Sequence, residues 1–250
     1  MATDISGKTA LVTGGAKRIG RAICLALANA GADVVVHHGR SESEAQELVG
    51  LIEKLGVRAW AIRADLGNTE ELDGLIGRVY DAAGKLDILV NNASTFDESR
   101  FDTFTLDDLE GNARVNAWAP FALARRFVER ADSGHIINLL DSRVAGYDWA
   151  HVAYHASKVL LELFTRQMAL RFAPAFQVNA VAPGLILPPP GKDQAYLESL
   201  KDKLPLRRVG SAEAVAEAVL FLLRSDFITG QTIFVDGGRH LKGAAVSCSH

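Results

Sequence analysis

Two side chains that could exchange a proton stand four residues apart in the stretch "YHASK". Tyr154 and Lys158 lie within a helical pattern, and a spacing of four places both on one face of a helix. An ammonium beside a phenol favours the phenolate and so lowers the pKa of the tyrosine. A tyrosine tuned in this way can give a proton to a reacting atom, so the pair predicts a general acid.

A glycine-rich turn stands near the start of the chain, in "LVTGGAKRIG" from Leu11 to Gly20. An apolar strand pattern ends there in Gly14 and Gly15, and a helical pattern follows. Glycines at such a turn let backbone N–H groups and the helix N-terminus meet a pyrophosphate. The turn therefore predicts a dinucleotide site, whose nicotinamide would bring hydride to the atom that Tyr154 protonates. Arg18 departs from the pattern, because the usual spacing puts a small residue there.

The second strand pattern ends in "HHGRS", with no carboxylate before Glu42. Enzymes that use NAD typically hold the ribose 2′-hydroxyl with Asp or Glu at this point, whereas an arginine can meet a 2′-phosphate. Arg40 and Ser41 are therefore the predicted 2′-phosphate ligands, with His38 beside them, and NADPH rather than NADH is the predicted cofactor. The alternative is that Arg40 is an ordinary solvated charge.

Strand and helix patterns alternate along the chain, and the strand patterns are apolar on both faces, as a parallel sheet covered by helices requires. We predict an α/β fold: one Rossmann-type domain over residues 1–250, with a doubly wound parallel sheet of about seven strands flanked by helices. Two long helices are predicted at Leu106–Ala131 and His151–Ala173. The predicted strands are Thr9–Gly14, Ala32–His38, Val57–Asp65, Leu86–Ser94, Gly134–Asp141, Phe176–Gly184 and Phe227–Gly238.

One irregular region, residues 185–210, follows the sixth predicted strand. Three consecutive prolines prevent a regular element there. The region leaves the carboxyl end of a strand, which is the side where open α/β sheets bind ligands. We therefore predict a substrate lid, the alternative being a surface excursion.

Composition excludes several classes of protein. The 250 residues are 48% hydrophobic and carry a net charge of −3, so a full core is expected without the basic surface that nucleic acid or an anionic membrane would attract. The widely separated Cys24 and Cys248 indicate a reduced, cytoplasmic protein without a disulfide framework. No metal is predicted, because His, Cys and carboxylate side chains are nowhere spaced as ligands.

Together these motifs resemble the short-chain dehydrogenase/reductase family over nearly the whole chain. The matching stretches are "TGGAKRIG", "NNAS", Asn116, "YHASK", "APG" and "VDGG". The resemblance implies a catalytic set of Asp141, Tyr154, Lys158 and Asn116, in which Tyr154 donates the proton, Lys158 also holds the nicotinamide ribose and Asn116 positions a water. It also implies an assembly on the two long helices, expected to be a homotetramer. The implied cofactor-binding residues are Gly14, Lys17, Arg18, Ile19, His38, Arg40, Ser41, Asp65, Leu66, Asn92, Ala93, Ser94, Tyr154, Lys158, Pro183, Gly184 and Leu185.

Two departures from the general pattern resemble one branch, the pteridine reductases and the bacterial dihydromonapterin and dihydrofolate reductases. Asp141 stands thirteen residues before Tyr154, where the family has Ser, and Arg18 replaces the middle glycine. The resemblance implies that the small-molecule substrate is a pterin held by Arg18, Ser94, Phe96, Asp141 and Tyr154. A carboxyl group suits a ring nitrogen as a Ser hydroxyl suits a carbonyl oxygen, and Phe96 offers a π-face.

The sequence therefore predicts an NADPH-dependent reductase of a pterin C=N bond. A short-chain carbonyl reductase for a 3-oxoacyl, sugar or other ketone substrate is the alternative enzyme. In that case Arg18 would bind only cofactor, Phe96 would pack a loop and Asp141 would be a drifted Ser. A non-catalytic protein that binds NADPH as a sensor is the alternative from another class.

Overall fold

The computed structural model describes residues 3–189 and 191–242. Cys248 and the third proline of the predicted lid, Pro190, lie outside the described residues. Seven parallel strands form one sheet in the order β3-β2-β1-β4-β5-β6-β7. The strands are β1 (Thr9–Val12), β2 (Asp33–His38), β3 (Ala59–Arg63), β4 (Ile88–Asn91), β5 (Gly134–Leu139), β6 (Phe176–Pro183) and β7 (Thr232–Val235).

Eight α-helices connect and cover the strands in the described part of the chain. They are α1 (Arg18–Asn29), α2 (Glu42–Glu53), α3 (Thr69–Ala83), α4 (Leu106–Ala113), α5 (Ala119–Val128), α6 (Val152–Phe172), α7 (Gln194–Glu198) and α8 (Ala212–Leu223). Within residues 3–189 and 191–242, none of the helices combines the length and apolar character that crossing a membrane requires.

Helices cover both faces of the sheet, which explains why the strand patterns lack alternation. Val34 and Val36 of β2 pack in one apolar layer with α1, α2 and α8. Val35, between them, packs in the opposite layer with α3, α5 and α6. Successive strand side chains point to opposite faces, so two buried faces demand a continuous apolar run. The predicted doubly wound α/β sheet is confirmed.

The predicted helix at Leu106–Ala131 is three segments rather than one. A π-helical segment, Arg114–Trp118, separates α4 from α5. Such a segment is a local bulge in a helix and often lies at a functional site. Here it carries Asn116, which is fully buried.

The predicted lid region is partly regular, which corrects the expectation that it holds no element. The short helix α7 and a 3₁₀ turn at Lys201–Lys203 both lie within it, after the prolines. Its two ends are joined, because the Gly210 N–H donates to the Leu185 carbonyl at 2.9 Å. The predicted boundaries therefore coincide with a closed loop over the carboxyl edge of the sheet.

Candidate active site

The glycine turn lies where the strand order reverses. The chain runs from β1 outward to β2 and β3, then crosses to β4 on the other side of β1. Open α/β sheets bind ligands at this switch point, outside the carboxyl ends of the strands. The turn after β1 and the loop after β4 therefore face the same crevice.

Only glycine fits the turn at two positions. Gly14 has a φ of +61°, and a Cβ there would lie 3.0 Å from the Ala93 Cα. A Cβ on Gly20 would lie 2.3 Å from the Gly14 carbonyl oxygen. The backbone of the first turn of α1 is thus packed directly on the glycine loop.

Asn92 and Thr13 fasten this turn to the loop after β4. The Asn92 side-chain amide donates to the Thr13 and Gly14 carbonyls at 2.9 and 3.0 Å. The N–H groups of Asn92 and Ala93 donate to the Thr13 hydroxyl at 2.9 and 3.0 Å. The side chain of Asn92 therefore positions the turn.

His37 also holds the turn, a role that the sequence analysis missed. Its Nδ1 accepts from the Gly14 N–H at 3.0 Å, and its Nε2 lies 3.1 Å from the Ala64 carbonyl. These two contacts require the neutral ring with its proton on Nε2. Burial lowers the pKa of His37 to about 4, so the ring stays neutral at physiological pH.

Arg18 links the turn to the predicted lid. The residue has a φ of +55°, and its guanidinium donates to the Pro188 carbonyl at 2.8 Å. The preceding Lys17 forms an ion pair with Glu44 of α2. Among the predicted cofactor residues of this turn, Ile19 packs on the apolar layer that contains α1.

The end of β2 presents polar groups toward solvent. Arg40 is exposed, and the Ser41 hydroxyl at the start of α2 makes no capping hydrogen bond. His38 is buried, and its Nδ1 has no hydrogen-bond partner among the described residues. Beyond β3, the exposed Asp65 accepts from the Gly67 N–H at 2.9 Å, whereas Leu66 is buried.

The end of β6 leads into the predicted lid. Pro183 is the last residue of β6 and is buried. The Gly184 N–H donates to the Val235 carbonyl at 3.0 Å, and a Cβ on Gly184 would lie 2.6 Å from the Asp236 Cβ. The Leu185 carbonyl then accepts from the Gly210 N–H at the other end of the predicted lid.

Three of the four predicted catalytic side chains meet between β5 and α6. The Tyr154 hydroxyl donates to Asp141 Oδ2 at 3.0 Å. Lys158 Nζ donates to the Leu139 carbonyl at 2.8 Å and lies 5.7 Å from the centre of the Tyr154 ring. Both Tyr154 and Lys158 are buried, as their four-residue spacing on α6 allows.

The pKa of Tyr154 moves in the opposite direction to the one predicted. Burial raises it well above the ordinary value for a phenol, and the negative charge of Asp141 adds to the rise. Burial also lowers the pKa of Lys158 to about 8, against the influence of Asp141. The expected lowering of the pKa of Tyr154 by Lys158 is therefore wrong for this structure, because desolvation and the Asp141 carboxylate outweigh the positive charge that lowers this pKa, which is that of Arg143.

The fourth predicted catalytic residue, Asn116, uses its side chain to join loop and helix. Its amide nitrogen donates to the Ser157 hydroxyl at 3.0 Å and the Thr95 carbonyl at 3.1 Å. Its amide oxygen accepts from the Ser94 hydroxyl at 3.1 Å and the Thr95 N–H at 2.9 Å. Asn116 thereby aligns the loop after β4 with the start of α6, where Ser157 bonds the Tyr154 carbonyl.

Phe96 lies beside Tyr154, and its ring is already in contact with neighbouring side chains. Its ring meets Tyr154 edge-on, with centroids 4.7 Å apart, and stacks on His151 at 4.2 Å. The Arg143 guanidinium carbon lies 5.1 Å from its centroid. The predicted π-face is thus present at the site, with an imidazole already stacked on one side.

Arg143 and Asp148 extend the site beyond the predicted set. Arg143 Nε pairs with Asp148 Oδ2 at 3.1 Å, and His151 Nδ1 lies 3.2 Å from the same oxygen. Arg143 Nη1 is also 3.9 Å from Asp141 Oδ2. In the sequence, the feature that could have identified these residues is the density of charged side chains in "DSRVAGYDWAH", which begins at Asp141.

No group of three or more His, Cys, Asp or Glu side chains is arranged to hold a metal within residues 3–189 and 191–242. Cys24 is a free, fully buried thiol in the apolar layer of α1.

Residues 14–240 match the family described as enoyl-(acyl carrier protein) reductase. A 3-oxoacyl-[acyl-carrier-protein] reductase of Synechocystis is 34% identical, over 94% of this chain and 98% of that protein. FolM alternative dihydrofolate reductase 1 from Brucella canis, complexed with NADP, superimposes with a TM-score of 0.91 and 33% identity, over 96% of this chain and 97% of that one. A short chain dehydrogenase from Burkholderia cenocepacia in complex with NADP gives a TM-score of 0.88 and 34% identity, over 95% and 99%.

Proposed function

The chain belongs to the short-chain dehydrogenase/reductase family, and on that basis we propose that it uses NADPH to reduce a C=N bond of a pterin. The observation that carries the proposal is the hydrogen bond from the Tyr154 hydroxyl to Asp141 Oδ2, 3.0 Å long. It puts a carboxyl group and a phenol together where the protonated atom must lie. A carboxyl group can serve a ring nitrogen and its N–H neighbours.

The cofactor is NADPH, and the residues at the crevice fit it. The glycine turn lies between β1 and α1, where backbone N–H groups and a helix N-terminus can meet a phosphate. At the end of β2 the exposed Arg40 and the uncommitted Ser41 hydroxyl stand where a 2′-phosphate would lie. FolM of Brucella canis, with the same fold, holds NADP.

Arg40 is the proposed anchor of the 2′-phosphate. Arg40→Gln should raise the KM for NADPH by roughly 10- to 100-fold, because it removes a charge-assisted hydrogen bond. The KM for NADH, which has no 2′-phosphate, should not change. Steady-state kinetics with both cofactors measures this, and Lys54→Gln at the far end of α2 is the matched control. An equal loss for NADPH and NADH would contradict the assignment.

The proton is supplied by Tyr154. When bound, the nicotinamide supplies hydride to a carbon of the substrate. The raised pKa keeps the Tyr154 phenol protonated until a strongly basic atom forms beside it. In the free site the Tyr154 hydroxyl donates to Asp141 Oδ2, and this hydrogen bond must give way when the hydroxyl donates to a ring nitrogen.

Lys158 supports the phenol after the proton has left. Its ammonium keeps its proton below about pH 8, the value to which burial lowers its pKa. A positive charge 5.7 Å from the Tyr154 ring stabilises the phenolate that proton transfer leaves behind. Asn116 holds the loop after β4 against α6 and keeps both side chains in place.

Reduction of a 3-oxoacyl thioester is the second candidate. The Synechocystis relative is named as such a reductase, and its identity to this chain is similar to that of FolM. In that case Tyr154 would protonate a carbonyl oxygen, and the negative charge of Asp141 beside that oxygen would oppose the reaction. A pterin also carries N–H and amino groups from which the Asp141 carboxylate can accept, and a ketone has none, which is the physical reason to prefer the pterin.

Oxidation of NADPH, followed at 340 nm, separates the two. The substrates are dihydrobiopterin, dihydromonapterin and dihydrofolate beside acetoacetyl thioesters and simple ketones. Turnover confined to the pterins supports the proposal, whereas turnover confined to the ketones overturns it. Binding of NADPH with no turnover of either group would point to the sensor function.

The proposed assembly is a homotetramer. The exposed apolar residues Val159, Leu163 and Leu170 line the outer side of α6, and Phe221 and Phe227 form a second exposed group at the end of α8. Two separate apolar faces suit a tetramer with two kinds of two-fold interface. Light scattering should give about four times the 26.9 kDa chain mass. A mass of one chain at micromolar concentration would exclude the assembly.

A cytoplasmic location stays a prediction, for which the buried free thiol of Cys24 is the supporting observation. Fractionation of source cells checks it, and recovery in an oxidising compartment would contradict it.

A further inference from the structure

Arg239 is a half-buried cation close to the proposed active site. It opens a 3₁₀ turn, Arg239–Lys242, after β7. Among residues 3–189 and 191–242 its guanidinium has no hydrogen bond or ion pair. Removing a guanidinium from water without pairing it with an anion is unfavourable, so a function for Arg239 at this position is expected.

A buried carboxylate fixes this turn. Asp236 accepts from the Gly238 N–H at 2.9 Å and the His240 N–H at 2.7 Å, and pairs with His240 Nδ1 at 2.9 Å. The His240 ring also stacks on Phe234, with centroids 4.1 Å apart. The backbone is therefore fixed by hydrogen bonds at the residue before Arg239 and at the residue after it.

The turn packs against the segment that follows Asp141. The 3₁₀ turn Ser142–Ala145 is in contact with Arg239–Lys242. Burial lowers the pKa of Arg239, and the charge of Arg143 lowers it further against the opposite influence of Asp141 and Asp148. Arg239 thus stands in the electrostatic field of the same groups that surround Tyr154.

The two arginines differ in their partners. Arg143 pairs with Asp148 and approaches Asp141, whereas Arg239 meets the repulsion of Arg143 without a carboxylate contact in the described ranges. The lid reaches this turn as well, because the Leu206 N–H donates to the Gly237 carbonyl at 3.1 Å. The Arg239 guanidinium therefore has no hydrogen-bonded anion in the described ranges, although the negative charges of Asp141, Asp148 and Asp236 act on it.

We propose that Arg239, with Arg143, binds an anionic group of the substrate at a distance from the bond that is reduced. Paired guanidinium groups bind carboxylates and phosphates well, because each offers a planar fork of N–H donors. The glutamate carboxylates of a dihydrofolate and the phosphates of a coenzyme A thioester share this chemistry. The inference rests on the proposed function in one respect: Tyr154 and Asp141 mark where the reduced bond lies.

Matched substrate pairs test the proposal. Dihydrofolate and dihydrobiopterin differ in the anionic tail, as do acetoacetyl-coenzyme A and ethyl acetoacetate among ketones. Arg239→Gln should raise the KM of the anionic member roughly 10- to 100-fold, and leave its kcat and the neutral member unchanged. Arg239→Lys keeps the charge without the fork and should fall between. Lys242→Gln, an exposed cation on the same turn, is the control.

Equal changes in both members of a pair, or none in either, would show that Arg239 only supports the fold. Calorimetry of the protein–NADP⁺ complex adds a measurement without turnover, in which folate should bind more tightly than biopterin. If the wild type shows no preference for the anionic member of either pair, in binding or in KM, the proposal is overturned. If the proposed function is wrong, only the ketone pair is reduced. The ratio of the KM values of acetoacetyl-coenzyme A and ethyl acetoacetate then still tests the role of Arg239.

Discussion

Replacing Tyr154 by Phe should lower kcat by about 10³-fold, because it removes the group that protonates the substrate. The ring would still meet Phe96 edge-on and stay beside Lys158, so the packing of α6 should not change. The affinity for NADPH should stay the same, since the hydroxyl bonds Asp141 rather than the glycine turn. Single-turnover oxidation of NADPH measures the chemical step, and fluorescence titration measures binding.

Tyr80→Phe is the matched control, because it makes the same chemical change on α3, where the ring lies over Arg130. Retained turnover in Tyr154→Phe would show that Tyr154 is not the proton donor. Loss of NADPH binding in step with turnover would instead show that the variant has disturbed the crevice. A protein that only senses NADPH would show no turnover to lose.

The sheet could be predicted from the sequence because its signal is local. The centre of β2, 34–36, is three consecutive valines, and the strand lies between two covered faces where every position is buried. The four-residue spacing of Tyr154 and Lys158 likewise needs only a helix to bring both side chains to one side. The predicted ends of the strands were less accurate, since an apolar run does not show where pairing with the neighbouring strand stops.

Contacts across the fold could not be predicted in the same way. His37 joins Gly14 on the β1 side to Ala64 on the β3 side, so its role depends on the register of three strands. Arg18 reaches Pro188, which is 170 residues away in the chain. The pKa of Tyr154 was predicted from one neighbouring charge, whereas burial, the larger influence, depends on everything packed around α6.

Asp141→Ser should reverse the substrate preference. The carboxylate is the feature that suits a ring nitrogen, so kcat/KM for dihydrobiopterin should fall roughly 10²-fold with the loss of a charged hydrogen bond. A serine hydroxyl can donate to a carbonyl oxygen, and the charge that opposes negative oxygen is gone. Turnover of an acetoacetyl thioester should therefore rise. Removal of Asp141 should also move the pKa of Tyr154 downward, because its charge is the second cause of the rise.

Asp141→Asn separates charge from shape in this result. Asp141 accepts from the Tyr154 hydroxyl on Oδ2 at 3.0 Å and from the Arg143 N–H on Oδ1 at 2.8 Å, and the single amide oxygen of Asn can keep one of these two hydrogen bonds. If the negative charge selects the pterin, Asn should lose pterin turnover nearly as fully as Ser and should also gain turnover of the thioester, because both variants remove the charge that opposes a negative oxygen. Kinetics on both substrates for wild type, Asn and Ser give the comparison. An unchanged ratio of pterin to thioester in Asp141→Ser would mean that the carboxylate does not choose the substrate, and the 3-oxoacyl reductase would become the better assignment.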